Sequence, residues 1–268
     1  MNKLPISAFM ICFNEEARIR KCIESLHLLA EIVVVDSGST DQTIHTLKML
    51  QDAGAPIKLF QRDWLGYSKQ KQFALEQCKH PWCFNIDADE RLDVALQNEL
   101  EKLVKAGHDV VGWKIARRPF LPGYKYPPAH VHERRVLRLI RNGLGQYDTS
   151  LKVHEALIPE GKVMPCKRGA LLHYTPINIG DQILKENTYS TLKSEMITES
   201  KKYRTPWRMV YNPPTYFLRL FFRNGLWRCG FPGFIQAVIG AMYSFLTEAK
   251  VYQARRAKRN DARDDEII

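Results

Sequence analysis

Apolar residues run almost unbroken through "ISAFMICF" (residues 6–13) and "EIVVVD" (31–36), and more briefly through "IKLFQ" (57–61) and "WCFNI" (82–86). Segments of this length with apolar residues on both faces read as buried strands. Between them the period changes to that of a helix. "NEEARIRKCIESLHLL" (14–29) sets Ile19, Ile23 and Leu26 at helical spacing with acids in the first turn. A second helix runs from about Asp41 to a stop at Gly54, and "KQKQFALEQC" (69–78) gives a third. Alternating strands and helices predict a parallel sheet covered on both sides, with ligands at the carboxyl ends of its strands. Asp36 and the pair Asp87 and Asp89 all stand at such ends, so they are expected to face one crevice.

After the helix "LDVALQNELEKLVKAG" the rhythm becomes strand-like pieces, "VVGWKIAR", "RRVLRLI", "KVHEALI" and "ALLHY", joined by Pro- and Gly-rich segments. An antiparallel continuation of the sheet is expected to supply a second wall. A helix from Ile179 then leads to the C-terminal segment, and the expected division is a domain of residues 1–203 followed by 204–268. In that segment apolar positions 231, 234, 235, 238, 239, 242, 245 and 246 make a wide helical stripe. The uncharged run 230–247 falls short of the roughly 20 apolar residues that a membrane span needs, and it contains Pro232.

Charge sharpens this picture. Between Lys201 and Arg259 twelve Lys and Arg stand against Glu248 alone, so this segment carries the whole net charge of +11. Arg219, Arg223 and Arg228 alternate there with Phe222 and Trp227, which suits helices lying on an anionic membrane surface, arginines on phosphates and aromatics at the interface. The competing reading is a helix packed on the rest of the chain with a solvated basic face. Nucleic acid is not an expected partner, because the aromatics sit in apolar runs and no recognition motif is present. The six cysteines show no C-x-x-C pair, so buried reduced thiols are expected rather than a zinc site or disulfides. No secretory leader pattern precedes the first strand, which makes a cytoplasmic protein the expectation.

The candidate chemistry lies in "FNIDADERLD" (84–93). Two aspartates one residue apart at a strand end can set oxygens around one hard cation, Mg²⁺ or Mn²⁺, that keeps positions open for phosphate. Their bland alternative is service at the start of the next helix. Asp36 can accept hydrogen bonds from a base or ribose, or simply form its turn. The first strand lacks the G-x-G-x-x-G turn of a dinucleotide oxidoreductase, and Glu90 stands where a D-x-D-x-T phosphatase has threonine.

Taken in order, "ISAFMICFNEEARIRKCIESL", "EIVVVDSGSTDQT", "WLGYSKQKQFALEQCKHPWCFNIDADERL", "KVHEALI" and "LLHYTPINIGDQILKENTYSTLK" resemble the inverting glycosyltransferases of family 2. Within that family the likeness is to bacterial lipopolysaccharide core β-1,4-glucosyltransferases. The resemblance implies an α/β GT-A fold and metal-dependent transfer of a hexose, expected to be glucose, from a UDP-sugar to a lipid-linked saccharide at the cytoplasmic face of the inner membrane. It implies that Phe13, Asn14, Glu15 and Glu16 frame the nucleotide, Asp36 contacts the uridine, and Lys71 approaches the diphosphate. Asp87 would lie near ribose and metal, Asp89 would be the principal metal ligand, and His173 would complete the metal's shell. The general base corresponds to Glu155, beside His154, with Glu133 as the alternative. Tyr124, Tyr126 and His130 are candidate acceptor contacts. A nucleotide-sugar-binding relative without transferase activity is the other reading.

Overall fold

The structure, a computed structural model, describes residues 3–106, 109–149, 156–175, 178–198 and 206–264, with side chains of the last helix as far as Ala257. These residues form two compact units, one of residues up to 119 together with 134–175, the other of 120–133 together with the chain beyond 175.

The first unit is a sandwich of helices about an eight-stranded sheet. Strands β1 (Leu4–Cys12), β2 (Leu29–Asp36), β3 (Ile57–Gln61) and β4 (Trp82–Asn85) are parallel, with β1 between β2 and β4 and β3 outermost. Helices α1 (Ile19–Ser25), α2 (Thr43–Asp52) and α3 (Tyr67–Glu76) join them. Neighbouring residues of one strand feed opposite layers. Ile6, Ala8 and Met10 of β1 pack with Ile19, Ile23 and Leu47 from α1 and α2. Phe9 packs with Val33, Val35 and the α3 residues Ala74 and Leu75 on the other face.

The later strands are β5 (Glu90–Leu92), β6 (Gly112–Pro119), β7 (Arg134–Arg141) and β10 (Val163–His173), with β8 (Gly145–Tyr147) and β9 (Leu157–Pro159) forming a separate hairpin. The continuation is mixed. β7 is antiparallel to both β4 and β6, whereas β10 runs parallel to β6 and antiparallel to β5. Helix α4 (Val94–Lys105) begins at Asp93, whose carboxylate accepts from Leu96 N at 2.7 Å. The helix cap is therefore Asp93, and Asp89 is left for other work. Gly169, at φ +79°, lets β10 pass against α4, because a Cβ there would fall on the backbone of Leu96. The register of β10 shifts at this point, between Pro165 and Ala170, and the strand then ends at His173.

One expected boundary moves. Helix α1 starts at Ile19, not at Asn14, and its first turn holds no acid. The backbone N–H groups of Asn14, Glu15 and Glu16 are taken by the side chains of Ser39, Thr43 and Asp41 at 2.9, 2.7 and 3.1 Å. Such side-chain bonds compete directly with helix formation.

The second unit contains α5 (Ile179–Thr198), α6 (Arg208–Leu218) and α7 (Gly230–Asp264), with a π turn at Arg219–Arg223 and a 3-10 turn at Leu226–Cys229 between the last two. Its apolar cluster is Leu121, Val131, Leu220, Leu226, Cys229 and Ala237, and beside it the helices meet through polar groups. The buried residues of α5 are polar, Gln182, Ser190 and Ser194, while Leu184, Leu192 and Met196 are exposed. The buried residues of α7 as far as Val251 are Gly233, Ala237, Ile239, Ser244, Thr247, Glu248 and Val251, whereas Phe231, Ile235, Val238 and Phe245 of the expected stripe are exposed and Phe234 packs edge-on against Phe217 and Phe221. Polar bonds tie the helices from within. Gln182 donates to Gln236 at 2.7 Å, Arg208 and Asn212 reach Glu248 at 3.2 and 2.7 Å, and Lys250 holds Asn187, Ser190 and Thr191. Small residues at close contacts, polar links between helices and exposed large apolar groups occur here together. The stretch Leu226–Ala257 is also long and apolar enough to cross a membrane by length and composition, which the shorter uncharged run did not suggest.

Candidate active site

The residues expected to frame a nucleotide gather where β1 and β2 stop. Asp36 is fully buried, and its carboxylate accepts from Gly38 N at 2.9 Å, from Ser39 N at 3.0 Å and from the Ser39 hydroxyl. The expected uridine ligand thus has both oxygens engaged in forming the 36–39 turn. The "FNEE" loop is laced to that turn. Asn14, at φ 54°, accepts from Thr40 N at 2.9 Å, and Glu16 accepts from Gln42 N at 2.9 Å. Phe13 is 56 % exposed beside them, an aromatic face open to a planar base.

The charged centre lies at the end of β4. Asp87 pairs with Lys71 of α3 at 3.0 Å and with Arg138 of β7 at 2.7 Å, one carboxylate oxygen to each. Arg138 also bonds Glu90 at 2.7 Å and the Asn85 side-chain oxygen. Glu90, fully buried, is held by Arg117 of β6 at 2.5 Å and accepts from Asp87 N at 3.1 Å. Burial by itself would raise the carboxyl of Asp87, but the Arg138 and Lys71 cations hold it well below the usual carboxylate range. Burial would likewise strip the proton from Arg138, and the Asp87 and Glu90 carboxylates overcome it. Sequence reasoning missed Arg138 and Glu90. The available signal was a single cation inside the apolar run "VLRLI", since a charge at a buried strand position requires a partner.

Asp89 stands apart from this network. Its oxygen lies 2.9 Å from His173 Nε2, both side chains partly exposed, and its carbonyl accepts from Tyr174 N at 2.8 Å. The β5–β10 register, His173 opposite Glu90, brings the two together. Burial raises the nearby Glu15 carboxyl; Arg18 counters, and the negative charges of Asp89 and Asp41 add to the rise. Among the described residues no three metal-ligating side chains converge. Asp89 and His173 nevertheless fit a divalent cation that keeps most positions for water and phosphate, because a carboxylate oxygen and an imidazole nitrogen this close can share one ion. Asp87, expected as a second ligand, has its oxygens committed to Lys71 and Arg138.

A cavity of about 440 Å³ opens beside Asp87, bordered by Lys71, Asn85, Arg117, Arg134, Arg138 and the hairpin residues Tyr147 and Leu157. Glu155 and His154, the expected base and its neighbour, lie outside the described residues. The alternative base Glu133 belongs to the second unit, where its carboxylate is 3.8 Å from His130 Nδ1. Tyr124 and Tyr126 are in the same unit, with Tyr126 edge-on to Phe120 at 5.9 Å. Of the expected membrane contacts, Phe222 and Trp227 are exposed, Arg219 stacks over Tyr216 at 4.3 Å and Arg228 over Trp227 at 5.4 Å, and Arg223 closes the π turn. All six cysteines are buried free thiols.

Comparison with known proteins agrees with this architecture. The family described as Glycosyl transferase family 2 matches residues 7–157. A lipopolysaccharide core biosynthesis glycosyltransferase, LpsC, of Rhizobium meliloti is 57 % identical over 265 residues, 99 % of this chain and 98 % of its own. Among solved structures, Staphylococcus aureus TarS 1-349 in complex with UDP superposes with a TM-score of 0.51 at 15 % identity, covering 96 % of this chain and 92 % of the other. The mannosyltransferase PcManGT from Pyrobaculum calidifontis, in complex with GDP-Man and Mn²⁺, gives a TM-score of 0.50 at 13 % identity, covering 92 % and 88 %. At such identities the two structures share the fold with this chain.

Proposed function

The chain belongs to glycosyl transferase family 2 and is a glycosyltransferase with the GT-A fold, and from that premise we propose that it transfers a hexose, glucose in the first instance, from a UDP-sugar to a lipopolysaccharide core or similar lipid-linked saccharide with inversion. The Asp89–His173 pair carries this reading, since it offers one divalent ion two ligands at the carboxyl end of the sheet. The Rhizobium meliloti relative, named for lipopolysaccharide core biosynthesis, supports the acceptor class, and the UDP and GDP-Man complexes of the two structural relatives support a nucleotide-sugar donor.

In this reading the laced loop at Asn14 to Glu16 and the Asp36 turn form a rigid bed for the nucleotide, with Phe13 against the base. A Mg²⁺ or Mn²⁺ ion held by Asp89 and His173 would supply Lewis-acid neutralisation of the leaving diphosphate. Lys71 and Arg138 keep Asp87 ionised and fixed, so that it can accept hydrogen bonds from ribose or donor sugar without reorganising. Glu155 takes the proton from the acceptor hydroxyl as it attacks from the face opposite the diphosphate. Residues 204–268, joined by the outward apolar face of α5, rest on the cytoplasmic surface of the inner membrane, which keeps a lipid-linked acceptor within reach.

The decisive experiment measures UDP released from several UDP-sugars with Mn²⁺ and with chelator. Asp89→Asn should lower release by about a hundredfold, the loss of several kcal/mol of charge stabilisation. Glu155→Gln should abolish transfer while UDP still binds. UDP binding without release from any donor would instead favour a nucleotide-sugar-binding protein.

A further inference from the structure

We propose that the acceptor saccharide is acidic, and that Arg117 and Arg134 receive its carboxylate or phosphate; this rests on the transferase reading of the same site. The cavity beside Asp87 is lined by four cations, Lys71, Arg117, Arg134 and Arg138, against the single carboxylate of Asp87. Two of these four positive charges are balanced by Asp87 and by Glu90, which Lys71, Arg138 and the Nε of Arg117 hold between them. The other two form the feature that needs explaining. Arg117 of β6 and Arg134 of β7 are direct partners across the antiparallel ladder, and both border the cavity.

Like charges opposite one another on neighbouring strands destabilise the sheet. Arg117 gives its Nε to Glu90, which anchors the base of the guanidinium, while Arg134 is exposed and makes no ion pair among the described residues. A site meant for a neutral sugar gains nothing from this juxtaposition, and hydroxyls are served equally well by uncharged groups. An anion seated between two guanidinium forks turns the repulsion into charge-assisted, geometrically specific recognition. The volume of about 440 Å³ lies in the ordinary range for a small-molecule site.

The anion is not the diphosphate of the donor. The lining leaves out Asn14, Asp36, Asp89 and His173, and of the residues given to the nucleotide it holds only Asp87 and Lys71, whose charges already pair with each other. It includes Ala156 and Leu157, which follow the proposed base Glu155 in sequence. The acid therefore belongs to the sugar that the base deprotonates.

The test is isothermal titration of the full chain, first with UDP and MnCl₂, then, at saturating UDP, with methyl β-glucuronide, glucose 6-phosphate and methyl β-glucoside. One acidic ligand should bind at least about tenfold more tightly than the neutral glycoside, as expected for gaining a charged hydrogen bond, and the two acidic arms separate carboxylate from phosphate recognition. Arg134→Gln should erase that preference and Arg134→Lys should restore part of it. Equal affinity for all three, no binding of any, displacement of the acidic ligand by UDP, or an unchanged preference in Arg134→Gln overturns the proposal. Failure of UDP to bind in the first titration strikes the nucleotide-sugar reading itself, and the proposal falls with it.

Discussion

Arg138 shows how one side chain can decide whether a site exists. It is 8 % exposed and bridges Asp87 and the fully buried Glu90, which without it would confront each other in a weakly polar interior. Removing one partner of a buried ion network leaves uncompensated charge, so Arg138→Ala should cost about 3–5 kcal/mol in urea unfolding. Arg138→Lys, which keeps the charge but loses the fork, should recover only part. The same network sets a pH dependence. Burial would raise Asp87, and Arg138 and Lys71 more than reverse it; burial would raise Glu31, and the bonds from Lys58, Ser7 and Lys79 N more than reverse that. Carboxylates depressed in the folded state contribute stability that is complete above their unfolded values, about 4, and disappears as pH falls through the folded ones. Urea midpoints should therefore be flat from pH 7 to about 5 and drop steadily below, whereas a rise toward pH 3 would contradict the assignment. At this scale the sequence announced the acids clearly, because D-x-D at a strand end is a local pattern. It did not announce their pairing: Lys71 was expected at a diphosphate rather than at Asp87, and Arg138 arrives from β7 through long-range pairing.

Among the elements, the parallel half of the sheet was legible from hydrophobic runs, and the start of α1 was not. Acids ahead of an apolar helical stripe normally enter the first turn. Here they are held back by Ser39, Asp41 and Thr43, hydroxyls and a carboxylate from the next crossover, whose positions no local pattern reports. Helix α7 carries the opposite lesson. Its apolar stripe was plain in the sequence, yet of that stripe Ile239 is buried while Phe231, Ile235, Val238 and Phe245 are exposed, and small residues make close contacts on the packed side. A Cβ at Gly233 would enter the carbonyl of Leu226, and one at Gly240 would meet Leu220 and Tyr216. Gly233→Val should thus destabilise the second unit by about 1–3 kcal/mol through overpacking, with a lower midpoint in thermal unfolding followed by far-UV circular dichroism. Ala at a nearby exposed position, Phe231→Ala, should change it far less.

For the whole molecule, the large apolar side chains left exposed on the second unit argue for an apolar environment there. Phe222, Trp227 and Phe231 are 59, 53 and 84 % exposed, amid arginines. The full chain should sediment with vesicles containing anionic lipid and only weakly with neutral ones, since each arginine near such a surface contributes about 1 kcal/mol. Replacing Phe222, Trp227 and Phe231 by Ser should release it while UDP binding persists, and retention of the triple variant on anionic vesicles would locate the anchor elsewhere. The two-unit division itself was hidden from the sequence because residues 120–133 join the C-terminal helices across a long stretch of chain. A further consequence follows from where the counter-charges of β4 are encoded. Asp87 and Glu90 leave the ribosome well before Arg117, and Arg138 follows 51 residues after Asp87. Until β7 is synthesised and paired with β4, Asp87 has only Lys71 and Glu90 only Arg117, and the Arg138 cation that bridges the two acids is missing. The charge balance of this edge is thus completed by the same strand that pairs with β4.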